Sequence, residues 1–322
     1  MNWTDTRKRL LQMAASRVPR LEGGTLPAPS RRHAPVEPAG PRAVSLCVAS
    51  GKGGTGKSIV TASLAALFAP RGRTLLIDAD FGVGNAHILQ DVSPRATCVD
   101  VVEGRESVRT TLVSCGKELD LLAAGSGVPR MSEMTGYELH LLASGLCEVE
   151  DDYRYVLIDS AAGVSHQTLA FARAADATLI VTTPDLTAMT DAYAFLKLLF
   201  AGRAGTRALL LVNRAASAEE ADEVTRRIAR VGERFLGMAP RCIGWLPHDP
   251  AVSACVNRRG SVITLEPGAE VSRSLRRIAA AIAEELGQIE PKGLGNELQR
   301  EVGYAARPDA PPGSRAIRLK PA

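Results

Sequence analysis

Short runs of apolar residues recur along the middle of the chain, and most hold valine, isoleucine or leucine at consecutive positions. They lie at residues 43–49, 73–78, 153–159, 177–182, 208–212 and 242–246. Runs without alternating polar positions are typical of strands that are buried on both faces of a parallel sheet. We therefore expect each run to form a strand of one largely parallel sheet.

Segments long enough for helices separate these runs, as at residues 187–200, 218–236 and 270–286. Strands that alternate with helices imply right-handed crossovers and helices on both faces of the sheet. The pattern predicts a single α/β domain over residues 43–288, with a doubly wound, mostly parallel sheet flanked by helices. No internal repeat of fixed period interrupts it.

The overall composition excludes several classes of protein. The 322 residues are 45% hydrophobic and 23% charged, as in globular proteins, and the net charge of +4 is too small to indicate a nucleic-acid binder. No apolar run approaches the roughly 20 residues that span a bilayer, and the first residues lack the pattern of a secretory signal. Six cysteines without a C-x-x-C pair favour a reducing cytoplasm over a disulfide framework.

The charge and the glycine and proline content change at the two ends. Residues 1–42 hold eight basic and three acidic side chains, a net +5, so the rest of the chain sums to −1. Residues 23–41 are rich in glycine, proline, alanine and arginine, and residues 289–322 are rich in proline and glycine. Such segments bury too little apolar surface to order themselves. We expect a flexible basic arm at 1–42 and a flexible tail at 289–322.

A glycine-rich segment between the first run and the next helix is the strongest chemical signal. It matches the phosphate-loop pattern G-x-x-x-x-G-K-[ST] with residues Gly51, Lys52, Gly53, Gly54, Thr55, Gly56, Lys57 and Ser58. Backbone amides and a helix N-terminus would point at the phosphates. Lys57 would bridge the β- and γ-phosphates, and the Ser58 hydroxyl would bind Mg²⁺.

Lys52 is a second lysine inside this loop, where one point charge already serves the β/γ site. It is either a solvated charge or a group that neutralises phosphate, including phosphate held by another subunit.

Three aspartates end strands at the same edge of the predicted sheet. Asp159 fits a carboxylate that holds Mg²⁺ through water, and Asp78 is a second candidate of this kind. Asp80 opens a glycine-containing loop and is the candidate that orients the attacking water. Asp78 and Asp80 are alternatively caps of the next helix.

These motifs together resemble the MinD/ParA ATPases, whose deviant phosphate loop has the pattern KGGxGK[ST]. The segments Asp78-Ala-Asp-Phe-Gly-Val-Gly-Asn85 and Leu157-Ile-Asp-Ser-Ala-Ala-Gly163 are similar to the MinD-like flagellar-number regulators of the FlhG/FleN type. Residues 182–193 add to this resemblance, which covers roughly residues 43–286.

The resemblance implies an ATP-driven switch in which Mg²⁺ and ATP lie between two copies of the chain. Lys52 would reach the partner's phosphates, Asp80 would position water and Asp159 would support the metal. The resemblance also assigns four residues to adenine binding, namely Asn213, Arg214, Pro247 and Asp249. Asn213 is alternatively a turn residue, and the 247–249 segment is alternatively a helix entry.

The same resemblance suggests partners but is weak at both ends. Flagellar regulators stimulate an SRP-type GTPase through an N-terminal DQAxxLR element, of which residues 5–11 keep only the aspartate and the first leucine. Other implied partners are a flagellar switch or C-ring protein, or a transcriptional regulator. A membrane helix is poorly matched at the C-terminus, so we expect a cytoplasmic protein whose contact with the inner membrane or cell pole is peripheral.

Two other functions stay open. A ParA-like DNA-partitioning ATPase would use basic residues such as Arg226, Arg227 and Arg230 on one predicted helix. A nucleotide-dependent scaffold or antagonist of a transcription factor would turn over ATP negligibly. An iron–sulfur relative would need cluster cysteines, but residues 160–163, directly after Asp159, hold none, and Cys242 and Cys255 are too far apart for a C-x-x-C pair.

Overall fold

The computed structural model describes residues 42–125, 131, 134–202 and 207–305. Over these residues the fold is built on one eight-stranded sheet. Its strands, in chain order, are β1 (Val44–Ser50), β2 (Thr74–Ala79), β3 (Val113–Gly116), β4 (Leu119–Leu122), β5 (Tyr155–Ala162), β6 (Ala177–Thr182), β7 (Arg207–Ala215) and β8 (Arg241–Pro247). Each of the six predicted runs forms one of these strands, with its ends shifted by at most three residues.

The spatial order of the strands is β3-β4-β2-β5-β1-β6-β7-β8. Every pair is parallel except β3 with β4. The predicted doubly wound, mostly parallel sheet is therefore confirmed. The hairpin β3–β4 was not predicted, because β3 alternates half-buried with exposed residues and has no continuous apolar run.

The helices cover both faces of this sheet. They are α1 (Lys57–Phe68), α2 (Ala86–Leu89), α3 (Cys98–Val102), α4 (Val108–Thr111), α5 (Gly136–Cys147), α6 (His166–Ala174), α7 (Leu186–Gly202), α8 (Ala218–Leu236), α9 (Pro250–Asn257), α10 (Val262–Leu265), α11 (Glu270–Leu286) and α12 (Leu294–Ala305). One core lies under α5, α6, α7, α8 and α12, and the other lies under α1, α9, α10 and α11. Along β1, Leu46 and Val48 enter one core while Cys47 and Ala49 enter the other, which explains the absence of polar alternation.

The C-terminal helix α12 corrects the predicted flexible tail at 289–322. Residues 294–305 form a helix that packs against α5 and α6, with Leu294, Leu298 and Val302 buried in the core. Because these side chains recur at four-residue spacing, they line one face of the helix.

The glycine content that led us to expect a flexible tail was misleading, although glycine ordinarily weakens a helix. Gly295 instead lets α12 approach α5 closely: a Cβ added there would lie 2.6 Å from the Cys147 sulfur and 2.7 Å from the Cys147 nitrogen. The loop before the helix is also fixed, because Lys292 donates its backbone N–H to buried Asp176. The prediction that this part of the tail is flexible was wrong.

Residues 1–41 of the basic arm predicted at 1–42, and the last residues, 306–322, lie outside the described residues. No helix among the residues that the structure describes is long and apolar enough to cross a membrane.

Candidate functional site

The glycine-rich loop joins the end of β1 to the start of α1, as predicted. Gly54 and Gly56 have φ angles of 80° and 86°, a left-handed backbone that strongly favours glycine. The loop thereby turns directly into the first turn of α1, whose free N–H groups and dipole favour an anion. The local sequence therefore builds a backbone whose shape and free N–H groups suit a phosphate.

Two neighbouring elements hold this loop tightly. A Cβ at Gly51 would overlap the carbonyl group of Asp191 on α7, and a Cβ at Gly56 would overlap the side-chain amide of Asn213. Asn213 lies near the end of β7 and donates from Nδ2 to the Thr55 carbonyl oxygen at 2.7 Å. Glycine is needed at both positions for close packing, and at Gly56 also for the backbone conformation.

Lys57 and Asp159 form a buried ion pair at the centre of the site. The Lys57 Nζ lies 2.7 Å from the Asp159 Oδ1, and both side chains are almost fully buried. Thr61, one helical turn after Lys57, donates to the same carboxylate oxygen at 3.1 Å. The carboxylate thus neutralises the lysine that the sequence assigns to phosphate.

The other oxygen of this carboxylate fits a hydrated Mg²⁺. Asp159 Oδ2 is buried and has no hydrogen-bond partner among the described residues. The Ser58 hydroxyl lies 3.4 Å from the Lys57 Nζ, so this hydroxyl and the Asp159 carboxylate are both neighbours of the same ammonium group. Such oxygen ligands are those that Mg²⁺ prefers.

Asp78 and Asp80 organise the loop that follows β2. Buried Asp78 accepts from the backbone N–H of Asp80 at 3.2 Å and of Ala86 at 3.0 Å. Burial, and then the charge of Asp159, raise the pKa of Asp78 to about 7. Asp78 thus fastens both ends of the loop, and its contact with Mg²⁺ stays a prediction. The half-buried Asp80 accepts from the N–H of Val83 at 3.2 Å, which shapes the loop tip.

A cavity of about 300 Å³ lies beside the glycine loop and Asp80. Predicted residues in its lining are Gly53, Gly54, Thr55, Gly56, Lys57, Ser58, Asp80 and Arg214. The structure therefore brings the phosphate loop and the water-positioning candidate together.

The other predicted residues lie outside that lining, namely Gly51, Lys52, Asp78, Asp159, Asn213, Pro247 and Asp249. Lys52 is half-buried in the loop and donates to the Thr187 hydroxyl of α7 at 2.8 Å. Asp249 is the N-cap of α9, with its two carboxylate oxygens accepting from the N–H groups of Ala251 and Val271. The 247–249 segment is therefore a helix entry, one of the two alternatives that the sequence offered. Contact of Pro247 and Asp249 with adenine stays a prediction.

Two contributors were missed by the sequence reasoning. Thr61 could have been found, because a hydroxyl four residues after Lys57 lies on the same face of α1. Thr187 lies in a segment that resembles the MinD-like proteins, but no local pattern singles out its hydroxyl.

A larger cavity of about 610 Å³ lies elsewhere, between the end of α1, the β3–β4 turn and the α9–α10 loop. Two of its arginines are already paired, Arg259 with Asp91 at 3.6 Å and Arg258 with Glu266 at 3.2 Å. Asp91, Lys117 and Glu118 also line it, but the glycine loop and Lys57, with its buried partner Asp159, lie at the smaller cavity, which is therefore the better candidate for chemistry.

Comparison with known proteins agrees with this choice. Residues 46–262 match the family model described as the CobQ/CobB/MinD/ParA nucleotide binding domain. The antiactivator FleN of Pseudomonas aeruginosa is 32% identical over 238 residues, which cover 74% of this chain and 85% of FleN. The flagellum site-determining protein YlxH of Helicobacter pylori is 26% identical, over 80% of this chain and 90% of YlxH.

Solved structures show the same fold. The septum site-determining protein MinD of Pyrococcus horikoshii, solved with Mg-ADP, aligns with a TM-score of 0.64 at 18% identity, over 76% of this chain and 98% of that one. A structure of the MinC:MinD complex of Aquifex aeolicus aligns with a TM-score of 0.59 at 25% identity, over 75% and 96% of the two chains. The chain belongs to the CobQ/CobB/MinD/ParA family of nucleotide-binding domains.

Proposed function

We propose that this chain binds ATP with Mg²⁺, dimerises on ATP and returns to the monomer when it hydrolyses the nucleotide. The observation that supports this most directly is the buried Lys57–Asp159 pair beside the glycine loop, with one carboxylate oxygen left over. A purely structural ion pair in a core would be expected to have all its oxygens hydrogen-bonded.

Each residue then has a task in phosphoryl transfer, which depends mainly on positioning and charge neutralisation. The loop amides and Lys57 would hold the β- and γ-phosphates. Asp80 would orient the attacking water, and Asp78 would keep the loop of Asp80 in place. Lys52 would neutralise phosphate in the second copy.

Mg²⁺ would be held by the Ser58 hydroxyl and, through water, by Asp159 and Asp78. Bound there, the ion would neutralise charge on the phosphates. Adenine would lie toward Asn213 and Arg214, since Arg214 lines the same cavity.

We infer that the switch regulates the number or placement of flagella. Two relatives support this, since one is named as an antiactivator, FleN, and the other as a flagellum site-determining protein. We place the protein in the cytoplasm, with peripheral contact at the inner membrane or pole. Its candidate partners are an SRP-type GTPase, a flagellar switch protein and a transcriptional regulator.

The biochemical test compares ATP hydrolysis by the wild type and Asp80→Ala, with exposed Asp222→Ala on α8 as the matched control. We expect turnover in the wild type and the control and its loss in Asp80→Ala. Equal, near-zero rates in all three proteins would instead favour a nucleotide-dependent scaffold.

The cellular test counts flagella after deletion of the gene and after its replacement by the Asp80→Ala allele. We expect an abnormal number or position of flagella in both strains. Normal flagella combined with loss of plasmids or chromosomes would contradict the flagellar role and favour DNA partitioning.

A further inference from the structure

The larger cavity has the size and the apolar wall of a small-molecule site. Its volume of about 610 Å³ lies within the range of about 300–1,000 Å³ that such sites occupy. Apolar residues from several segments contribute to its wall, namely Ala66, Ala69, Pro70, Leu89, Leu119 and Leu265. The cavity therefore suits a ligand with an apolar body.

The basic side chains of this cavity keep hydrogen-bond donors available. Arg258 donates from one Nη atom to Glu266. The Arg259 Nε lies 3.6 Å from the Asp91 carboxylate, which is longer than a hydrogen bond. Neither guanidinium has another partner among the described residues, and Lys117 has no side-chain partner there. Since guanidinium donors match planar or tetrahedral anions, and the lining holds three basic against two acidic side chains, the cavity favours an anionic group.

Strained backbone accompanies both cavities. Among the described residues, three other than glycine have a positive φ angle, namely Asp91 at 50°, Arg259 at 55° and Arg214 at 59°. Arg214 lines the smaller cavity, and the other two line the larger one. Left-handed backbone costs free energy at a residue with a side chain, and it occurs preferentially at ligand and active sites.

The larger cavity also lies where elements of the nucleotide site end. Helix α1 begins in the glycine loop and ends at this cavity, and the loop of Asp80 leads through α2 to Gln90 and Asp91 in its wall. Gln90 donates from Nε2 to the Ala62 carbonyl oxygen of α1 at 3.2 Å. The contact of Arg259 with Asp91 thus ties the segment after the Asp80 loop to the loop between α9 and α10.

From these observations we propose that the larger cavity is a regulatory site for a small organic anion with an apolar body, which competes with Asp91 for Arg259. The apolar body would cover the wall, and the anionic group would contact Arg259 and Lys117. Without Arg259 the segment after α2 would be held less firmly, so Asp80 would position water less well. This effect on hydrolysis rests on the proposed function, whereas the binding of the anion does not.

Binding is tested by fluorescence titration of the nucleotide-free protein with anilinonaphthalene sulfonate, an aromatic anion. Lys117→Gln should raise its dissociation constant about threefold, as expected for one exposed charge pair. Glu118→Gln is the neighbouring matched control and should not raise it. Asp91→Asn should lower it several-fold, because the competing carboxylate is gone while asparagine still tolerates the left-handed backbone. Unchanged constants in Lys117→Gln and Asp91→Asn would overturn the proposal.

The two parts of the ligand are separated with phenylnaphthylamine, which keeps the aromatic rings but lacks the sulfonate. Its dissociation constant should be the same in Lys117→Gln and the wild type. Both probes should lose their site in Ala66→Trp, because half-buried Ala66 lies in the wall but outside both cores, so a large side chain there would fill the cavity. Equal effects of Lys117→Gln on the two probes, or full binding to Ala66→Trp, would overturn the proposal.

Regulation is tested by ATP hydrolysis with the sulfonate at saturation. We expect kcat to fall several-fold in the wild type, to fall similarly in Asp91→Asn without the probe, and to be insensitive to the probe in Ala66→Trp. Unchanged hydrolysis by the saturated wild type would overturn the regulatory role. If the wild type hydrolyses no ATP even without the probe, the proposed function and this regulation are both wrong, whereas the fluorescence titrations still decide whether the cavity binds the anion.

Discussion

The phosphate loop and the C-terminal helix both depend on glycine for close packing, yet only the first could be recognised from the sequence. Gly51 lets the loop lie against the backbone of α7, and Gly295 lets α12 lie against the backbone of α5. In the loop, glycines occur at fixed spacing beside a lysine and a serine, so the pattern itself specifies a phosphate site. Around α12 the same residue type indicates only a weak helix, since its packing partner is about 150 residues away in the chain.

The largest effect that distinguishes the two regions is expected from Lys57→Ala. Nucleotide binding should be lost, and the free energy of unfolding should fall by about 3–5 kcal/mol, because Asp159 would keep a buried charge without its partner. Calorimetric titration with ATP and Mg²⁺, together with urea unfolding, measures both. Retained binding would show that the ion pair is only structural.

The next substitution should slow ATP hydrolysis but leave ATP binding nearly unchanged. Asp80→Ala should reduce kcat by about 10²-fold or more while the affinity for ATP stays within a few-fold, because the side chain would act on water and not on the nucleotide. Single-turnover hydrolysis and a fluorescent ATP analogue report on the two steps separately. An equal loss of affinity would place Asp80 in nucleotide binding instead.

A substitution in the C-terminal helix should change the free energy of unfolding but not ATP hydrolysis. Leu298 is fully buried, so Leu298→Ala should lower the free energy of unfolding by about 3 kcal/mol. Exposed Asn296→Ala on the same helix is the control and should change it by less than about 0.5 kcal/mol. If urea unfolding showed no difference between the two variants, the result would support the original prediction of a flexible tail.

The last expected effect, no larger than that of Leu298→Ala, is a pH dependence at the start of that helix. Glu150 accepts the backbone N–H of Gly295 at 3.0 Å, and burial raises the pKa of Glu150 to about 7. The folded protein therefore binds more protons than the unfolded chain between about pH 4.5 and 7, so this group lowers stability as the pH rises through that window.

The measurement compares the wild type with Glu150→Gln, which cannot ionise. From pH 4.5 to 7.5 the wild type should lose up to about 3 kcal/mol of stability relative to the variant. Urea unfolding at four pH values across this range measures this loss. If the free energy of unfolding depended on pH in the same way in both proteins, the raised pKa of Glu150 would be contradicted.

The sequence predicted what local pattern and chemistry determine. Continuous apolar runs located six strands, and the glycine loop located Lys57 and Ser58 beside Asp80, because the carboxyl ends of parallel strands share one edge. It could not predict the β3–β4 hairpin, whose edge strand has no apolar run. Nor could it predict α12, or that Thr187 holds Lys52, since these contacts join segments far apart in the chain.

The central claim is that ATP joins two copies of the chain through Lys52. Its most direct test is the sedimentation of Asp80→Ala and of the double variant Lys52→Ala/Asp80→Ala with ATP and Mg²⁺, after titration has shown that both bind ATP. We predict a dimer for Asp80→Ala with ATP, a monomer with ADP, and a monomer for the double variant with either nucleotide. A double variant that still dimerises with ATP would contradict the claim.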